Sequence, residues 1–283
     1  MKNVEWVPVL RSAAQAGKKA ILRNYDLSSR NKIVKRGVGG DMTLRIDEAS
    51  ETAIYDSLKK QLGKESFVFL SEEIGEVNVR TNTKEPVIVC DPLDGSHNAQ
   101  VGIPLFAVAL SVIMPKNHGR SFDSVIASII LSIKTDDEYT AEKGKGAYHN
   151  GKKLERRKSS SSKINTLLVE TGDVDYFRER ILEKLTSKEV YKTRLLGSAA
   201  LSLCLLADGS ADAMIFAQPG GARTIDSPAG YLIATEAGCT FSDLTKHRKV
   251  SDIEVGFDSR VDLLGTSSPR IYRMLEKRLG QIS

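Results

Sequence analysis

The sequence predicts a layered α+β or α/β protein, with a largely antiparallel sheet in its N-terminal half and a mixed sheet in its C-terminal half. Three observations carry this expectation. Two amphipathic helical stretches open the chain, a run of short apolar segments follows without helices between them, and beyond residue 163 segments of strand length alternate with helical ones. The 283 residues are 41% hydrophobic and 27% charged, the composition of a folded chain rather than of a disordered, collagenous or coiled-coil one. A chain this long buries about three quarters of its unfolded surface.

Residues 4–22 place Val7, Leu10, Ala14 and Ile21 near one helical face, and residues 46–62 do the same with Ile46, Ala53, Ile54, Leu58 and Leu62. Gly63 stops the second helix. Strands are predicted at 67–70, 87–90, 106–113 and 125–133, with a shorter one near Tyr139 and a hairpin turn at Asn150-Gly151. Residues 152–163, KKLERRKSSSSK, concentrate charge and serine without apolar periodicity, and mark a boundary between an N-terminal half, 1–155, and a C-terminal half, 156–283. The basic residues of this seam read as a solvated connector rather than a nucleic-acid patch, because no aromatic side chains interleave to stack on bases. The second half follows with a strand at 166–170, helices at 176–186 and 198–207, a strand at 211–216, a helix at 226–237 and a strand at 261–265. A last helix starts at 269, with Ser268 as its cap and Pro269 in its first turn.

The charge balance is modest: 41 Lys plus Arg against 36 Asp plus Glu leave +5. The longest apolar stretch, 104–115, is interrupted by Ser111 and is shorter than the roughly 18 residues of a membrane span. No secretory signal core is visible near Lys2 and Glu5, and Cys90, Cys204 and Cys239 are widely spaced and odd in number. A cytoplasmic protein with unpaired thiols is expected, with no membrane partner and no zinc site.

The strongest chemical feature is DPLDGSHN, Asp91 to Asn98, directly after the apolar segment VIVC. Pro92 fixes its own φ and Gly95 adopts backbone conformations other residues resist, so the turn can aim Asp91, Asp94 and the Leu93 carbonyl at one spot. Hard oxygen donors in that number suit magnesium. Gly95 and Ser96 can then offer backbone amides and a hydroxyl to an anion, for which phosphate is the natural guest. Three further acidic groups stand out: Glu72 and Glu73 after FVFL, Asp41 and Asp47 around Thr43, and Asp226 before an apolar helix. Each alone also fits a plain structural role, as a turn, a solvated edge or a helix cap. One metal-binding site accounts for all of them together.

In GDMTLRIDEASE, SEE, DPLDGSHN, AEKGKGAYHNGKKL, RLLGSAALSLCLLADGSADA and IDSPAGYLIATEAG, the chain resembles the inositol monophosphatase family in the family's own order, along most of its length. This is the magnesium-dependent, lithium-sensitive sugar phosphatase superfamily, which also holds fructose-1,6-bisphosphatases and phosphoadenosine phosphatases. The RTID form, with Ile225 where many members have Trp, looks most like the archaeal enzymes that act on inositol monophosphate and fructose 1,6-bisphosphate. The resemblance implies a layered αβαβα sandwich, a homodimer, and two or three magnesium ions per active site. By motif it assigns Glu72, Asp91 and the Leu93 carbonyl to one ion and Asp91, Asp94 and Asp226 to a second, with Asp91 bridging. It gives Asp47 and Ser96 the positioning of the attacking water, with Glu72 beside them in the catalytic set. Asp94, Gly95 and Ser96 meet the phosphate. The reaction it implies is hydrolysis of a small sugar or cyclitol phosphate ester directly by water.

Ala99, Pro228 and Cys239 depart from common family choices without removing a ligand. Ala217, Gln218 and Pro219 stand where the dual-activity archaeal enzymes tend to carry an arginine, which leaves Arg194 and Arg223 as candidates for a sugar hydroxyl or second phosphate, or as surface ion-pair residues. GAYHNGKK nearly spells a phosphate-binding loop, but Lys153 replaces its Ser or Thr and no apolar helix follows. GDVD at 172–175 lacks the adjoining strand of an aspartyl nucleophile, and no cysteine has an arginine six residues on. The rival readings are a 3'-phosphoadenosine 5'-phosphate phosphatase of the same superfamily and a basic nucleic-acid-binding pseudoenzyme. The retained carboxylates speak for an enzyme.

Overall fold

Helices α1 (Trp6–Arg23) and α2 (Arg45–Leu62) form where apolar side chains recur at helical spacing, and they bury Leu10, Ala14 and Ile21 beside Ile46, Ile54 and Leu58. The computed structural model describes residues 4–26, 30–38, 42–79, 85–115, 119–155, 163–244 and 248–279. Between α1 and α2, strands β1 (Ile33–Arg36) and β2 (Met42–Leu44) pair antiparallel. Strand β1 carries no periodic signal, because all four of its residues are exposed and no inward-outward alternation marks it.

The first large sheet holds β3 (Phe67–Ser71), β4 (Gly75–Val79) and β5 (Val87–Asp94). After the short helix α3 (Ser96–Val101) it continues with β6 (Ala107–Ile113), β7 (Val125–Ser132), β8 (Glu138–Glu142), β9 (Gly146–His149) and β10 (Lys152–Lys153). Its order is β10-β9-β8-β7-β6-β5-β3-β4, and only the β3–β5 pair is parallel. The expected turn at Asn150-Gly151 joins β9 to β10 with positive φ at both residues, as a two-residue hairpin requires. Of the 152–163 seam, residues 156–162 lie outside the described residues, as does Asp41.

The second sheet takes β11 (Ile164–Glu170), then α4 (Val174–Arg180), β12 (Val190–Arg194), α5 (Ala199–Ala207) and β13 (Ala213–Phe216). A two-residue strand β14 (Ala222–Arg223) leads to α6 (Pro228–Glu236), and β15 (Thr240–Asp243), β16 (Arg260–Val261), β17 (Leu263–Thr266) and α7 (Pro269–Leu279) complete the chain. The order is β12-β11-β13-β17-β15, with β11 parallel to both neighbours and β17 antiparallel to both of its own, so the sheet is mixed as expected.

Strand alternation builds five layers. On β3, Phe67 and Phe69 face α1 and α2, while Val68 and Leu70 face a middle layer made by α5 and α6. On β13, Met214 and Phe216 join that middle layer and Ala213 and Ile215 join α7 on the far side. The predicted αβαβα sandwich is therefore the observed architecture. In the middle layer Gly230 of α6 meets α5 so closely that an added Cβ would lie 2.4 Å from a Leu203 methyl carbon. Gly230→Ala is expected to destabilise the protein by about 1–3 kcal/mol, since overpacking outweighs the gain in helix propensity. Urea denaturation checks it, and an unchanged midpoint would show that Leu203 repacks freely.

Three predicted elements are corrected. The helix expected at 176–186 is α4, capped by Asp173 and ending at Arg180, followed by a 3-10 turn over Leu182–Lys184. No α4 side chain is fully buried, although Tyr176 and Phe177 pack against the core cluster that Ile181, just past the helix, shares with α7. The helix expected from 226 starts at Pro228, because Thr224–Asp226 forms a separate 3-10 turn. The strand expected at 261–265 is split between β16 and β17. Among the described residues no helix is long and apolar enough to cross a membrane.

Candidate active site

Asp91 and Asp94 are three apart, which in a regular strand would send their side chains to opposite faces. Here Asp91 pairs with Ala109 of β6 but Asp94 with Ala107, so β5 carries one extra residue at this point. That bulge makes the separation effectively two and turns both carboxylates to one side. Pro92, which has no N–H to give a ladder, sits inside it. Glu72 arrives by a different route. Parallel strands β3 and β5 are in register at Ser71 and Cys90, so the next residues, Glu72 just past β3 and Asp91 still within β5, lie side by side at the carboxyl end of that pair. The 3-10 turn carrying Asp226 packs on β5 and supplies the fourth carboxylate.

Glu72, Asp91, Leu93, Asp94, Gly95, Ser96, Arg223 and Asp226 all line one cleft of about 280 Å³. The crowding is visible in the acidities. The Asp91 carboxyl is pushed well above the usual carboxylate range by burial and then by Asp94, Glu72 and Asp226. Asp94 is pushed up to about 7 by burial, against the stabilising pull of hydrogen bonds from the Ser198 hydroxyl and the Ala200 amide at the start of α5. Gly95 enters α3 with φ +85°, and an added Cβ there would lie 2.8 Å from the Leu105 carbonyl oxygen, so this position needs glycine. The Ser96 hydroxyl donates to the Leu93 carbonyl at 2.9 Å.

Asp47 stands apart from the cleft lining. It is not the cap of α2 but its third residue, and its Oδ2 accepts the Leu44 amide at 2.7 Å. Its Oδ1 is buried with no hydrogen-bond partner, and burial, with Glu73 and Glu51 nearby, lifts the carboxyl to about 8. Asp226 also fails to cap its helix, since Ser227 intervenes. Arg223 donates to Glu72 and lies 3.5 Å from Asp226. Arg194 is not brought to the cleft: it is exposed on the edge strand β12, where its guanidinium donates to the Thr193 carbonyl at 2.9 Å.

Sequence reasoning missed two groups that hold the site together. Glu170, at the end of β11, accepts from the Leu196 and Gly197 amides and the Ser202 hydroxyl at 2.5–3.3 Å. Asn98 donates from the other half of the chain to the Leu105, Leu196 and Gly197 carbonyls. Both pin the loop that delivers Ser198 to Asp94. Asn98 was legible only as the end of DPLDGSHN, and an isolated glutamate after an apolar strand carries no signal.

Among the described residues no three acidic, histidine or cysteine side chains already form a coordination shell. The donor set nevertheless fits a hard divalent cation: four carboxylates and Leu93 line one cleft, and mutual repulsion on top of burial makes the Asp91 carboxyl a weaker acid, a penalty that a bound cation would relieve.

The layered fold thus carries an acidic cleft at the carboxyl ends of its strands, opening beside a glycine-entered helix. A profile of the inositol monophosphatase family matches residues 2–276, and the chain belongs to that metal-dependent family of phosphoric monoester hydrolases. It is 32% identical to a fructose-1,6-bisphosphatase of Pyrococcus furiosus over 86% of each chain. It is 30% identical to a fructose-1,6-bisphosphatase/inositol-1-monophosphatase of Methanocaldococcus jannaschii, over 85% of this chain and 86% of that one. A bifunctional NADP phosphatase/NAD kinase of Methanococcus maripaludis is 31% identical over 88% of this chain, which spans only 44% of that longer protein. In three dimensions the fold matches the extragenic suppressor protein suhB of Bartonella henselae with a TM-score of 0.81 at 23% identity, covering 99% of this chain and 100% of that one.

Proposed function

We propose that the protein is a magnesium-dependent phosphomonoesterase acting on inositol 1-phosphate, fructose 1,6-bisphosphate or both. The observation that carries this reading is the convergence of Glu72, Asp91, Asp94 and Asp226 on one cleft with Gly95 and Ser96 beside them. Residues 1–155 supply all of these except Asp226, which comes from 156–283. Glu72, Asp91 and the Leu93 carbonyl would hold one magnesium and Asp91, Asp94 and Asp226 a second, with room in the reading for a third. Bound there, magnesium supplies Lewis-acid activation of water and neutralises charge on the departing ester oxygen.

The chain's own groups do the rest. The first turn of a helix leaves amides without an intrahelical acceptor, so Gly95 and Ser96 can hold phosphate oxygens. The Ser96 hydroxyl, by donating to the Leu93 carbonyl, keeps its lone pairs for an attacking water, the role that the resemblance gives it together with Asp47. Phe216 and Gln218 also line the cleft and would face the substrate's polyol. The resemblance also implies a homodimer, which sedimentation velocity reads, and buried thiols at Cys90 and Cys204 suit a cytoplasmic location.

Phosphate release from inositol 1-phosphate, fructose 1,6-bisphosphate, 3'-phosphoadenosine 5'-phosphate and NADP, each with magnesium and with chelator, tests the reading. NADP enters the panel because of the bifunctional relative. Magnesium-dependent release from either sugar or cyclitol ester is expected. Release indifferent to chelation, or confined to the nucleotides, would overturn it.

A further inference from the structure

Arg223 lies inside the cleft rather than on its rim. It leaves β14 one turn before Asp226, and its side chain is 19% exposed, close to the 17% of Glu72 and the 15% of Asp226 that it touches. One guanidinium thus reaches two carboxylates from separate parts of the chain: Glu72 follows β3 in the first sheet, and Asp226 ends the turn between the sheets. A guanidinium presents five N–H donors in a fixed fork, so it can engage both at once where an ammonium would have to choose. The lone pairs it takes are the ones a divalent cation needs.

We propose that Arg223 is an internal cation that competes with the divalent metal for Glu72 and Asp226, and so sets the metal affinity of the centre. This rests on the metal assignment proposed above and adds to it a residue that opposes binding. The geometry gives the arginine two consequences of opposite sign. It offsets repulsion among carboxylates that burial and mutual charge already disfavour, which stabilises the fold when no divalent ion is bound. It also has to yield oxygen atoms before the cation can take them, which weakens binding. An affinity held down in this way lets the centre exchange its cation, and confines a filled site to conditions where magnesium is plentiful.

Isothermal titration with magnesium, repeated with manganese by electron paramagnetic resonance, reads the competition without any turnover. Arg223→Met is expected to tighten the affinity by about tenfold, the scale of a hydrogen bond to a charged group. In chelator the same variant should melt below wild type, and in magnesium it should gain more than wild type does. Arg223→Lys is a second variant in case the first folds poorly. It keeps the charge but reaches only one carboxylate, so a smaller tightening is expected. Arg120→Met, which removes an equal charge from a pair with Glu76 away from the cleft, controls for net charge and should leave affinity unchanged. Wild-type affinity, or weaker, in both Arg223 variants overturns the competition while leaving the metal assignment standing. Equal tightening in Arg120→Met assigns the effect to net charge and overturns it too. A wild-type protein that binds neither metal overturns both.

Discussion

Replacing Asp91 by Asn is expected to lower kcat by about 10²–10³, and Asp226→Asn by a similar factor, with the far-UV circular dichroism of each variant unchanged. The expectation is largest for Asp91 because it feels the whole acidic set: after burial, Asp94, Glu72 and Asp226 all make its carboxyl a weaker acid. In the proposed site it is shared by both cations, and one lost charge removes a contact from each. Asparagine has nearly the same shape and keeps an oxygen for the Leu93 amide, which donates to Asp91 at 3.0 Å, so the fold should survive the change. Asp175→Asn is the control. That exposed carboxylate belongs to the GDVD segment, lies on α4 and pairs with Arg178 at 3.1 Å. Turnover within a few-fold of wild type in Asp91→Asn would remove the carboxylate cluster from the reaction.

The second large effect is on stability. Ligand that binds only the folded chain adds about 2.7 kcal/mol at a hundredfold excess over Kd for a single site. For a protein of this size that raises Tm on the order of 5–11 °C. Magnesium should therefore shift the melt upward, chelation should reverse it, and added phosphate should raise it further. The pH dependence has a definite sign. Burial holds the folded Asp47 carboxyl at about 8 and Asp94 at about 7, against an unfolded value of 3.8 for each. As pH rises the unfolded chain loses these protons first, so stability is highest below the unfolded value and is lost as pH climbs through the folded ones. In chelator Tm should fall from about pH 5 to about pH 8, and magnesium should flatten that slope by favouring the ionised carboxylates. Asp94→Asn keeps an acceptor for Ser198 and Ala200, so it should melt near or above wild type in chelator and respond less to magnesium. A wild-type melt indifferent to magnesium at concentrations that support turnover would count against a shared cluster.

The sequence by itself determined the layers and the carboxylates. Helical spacing at Leu10, Ala14 and Ile21 and strand-length apolar runs such as VIVC are local patterns, and burial of one face follows from them directly. DPLDGSHN was legible for the same reason, since its proline and glycine act on their own backbone. What only the tertiary structure decided depends on contacts between distant segments. The bulge that turns Asp91 and Asp94 to one side is set by pairing with Ala107 and Ala109, and the neighbouring positions of Glu72 and Asp91 follow from the parallel register of β3 with β5. Just past the end of α4, Ile181 joins the same buried cluster as α7, a contact between segments far apart in the chain. Arg194 and Arg223 were equal candidates as residue types, and separated only when one strand proved to be an exposed edge and the other led into the cleft. Side-chain chemistry and periodicity are written along the chain, whereas register, bulge and edge arise from which strands meet, and no local stretch of sequence carries that.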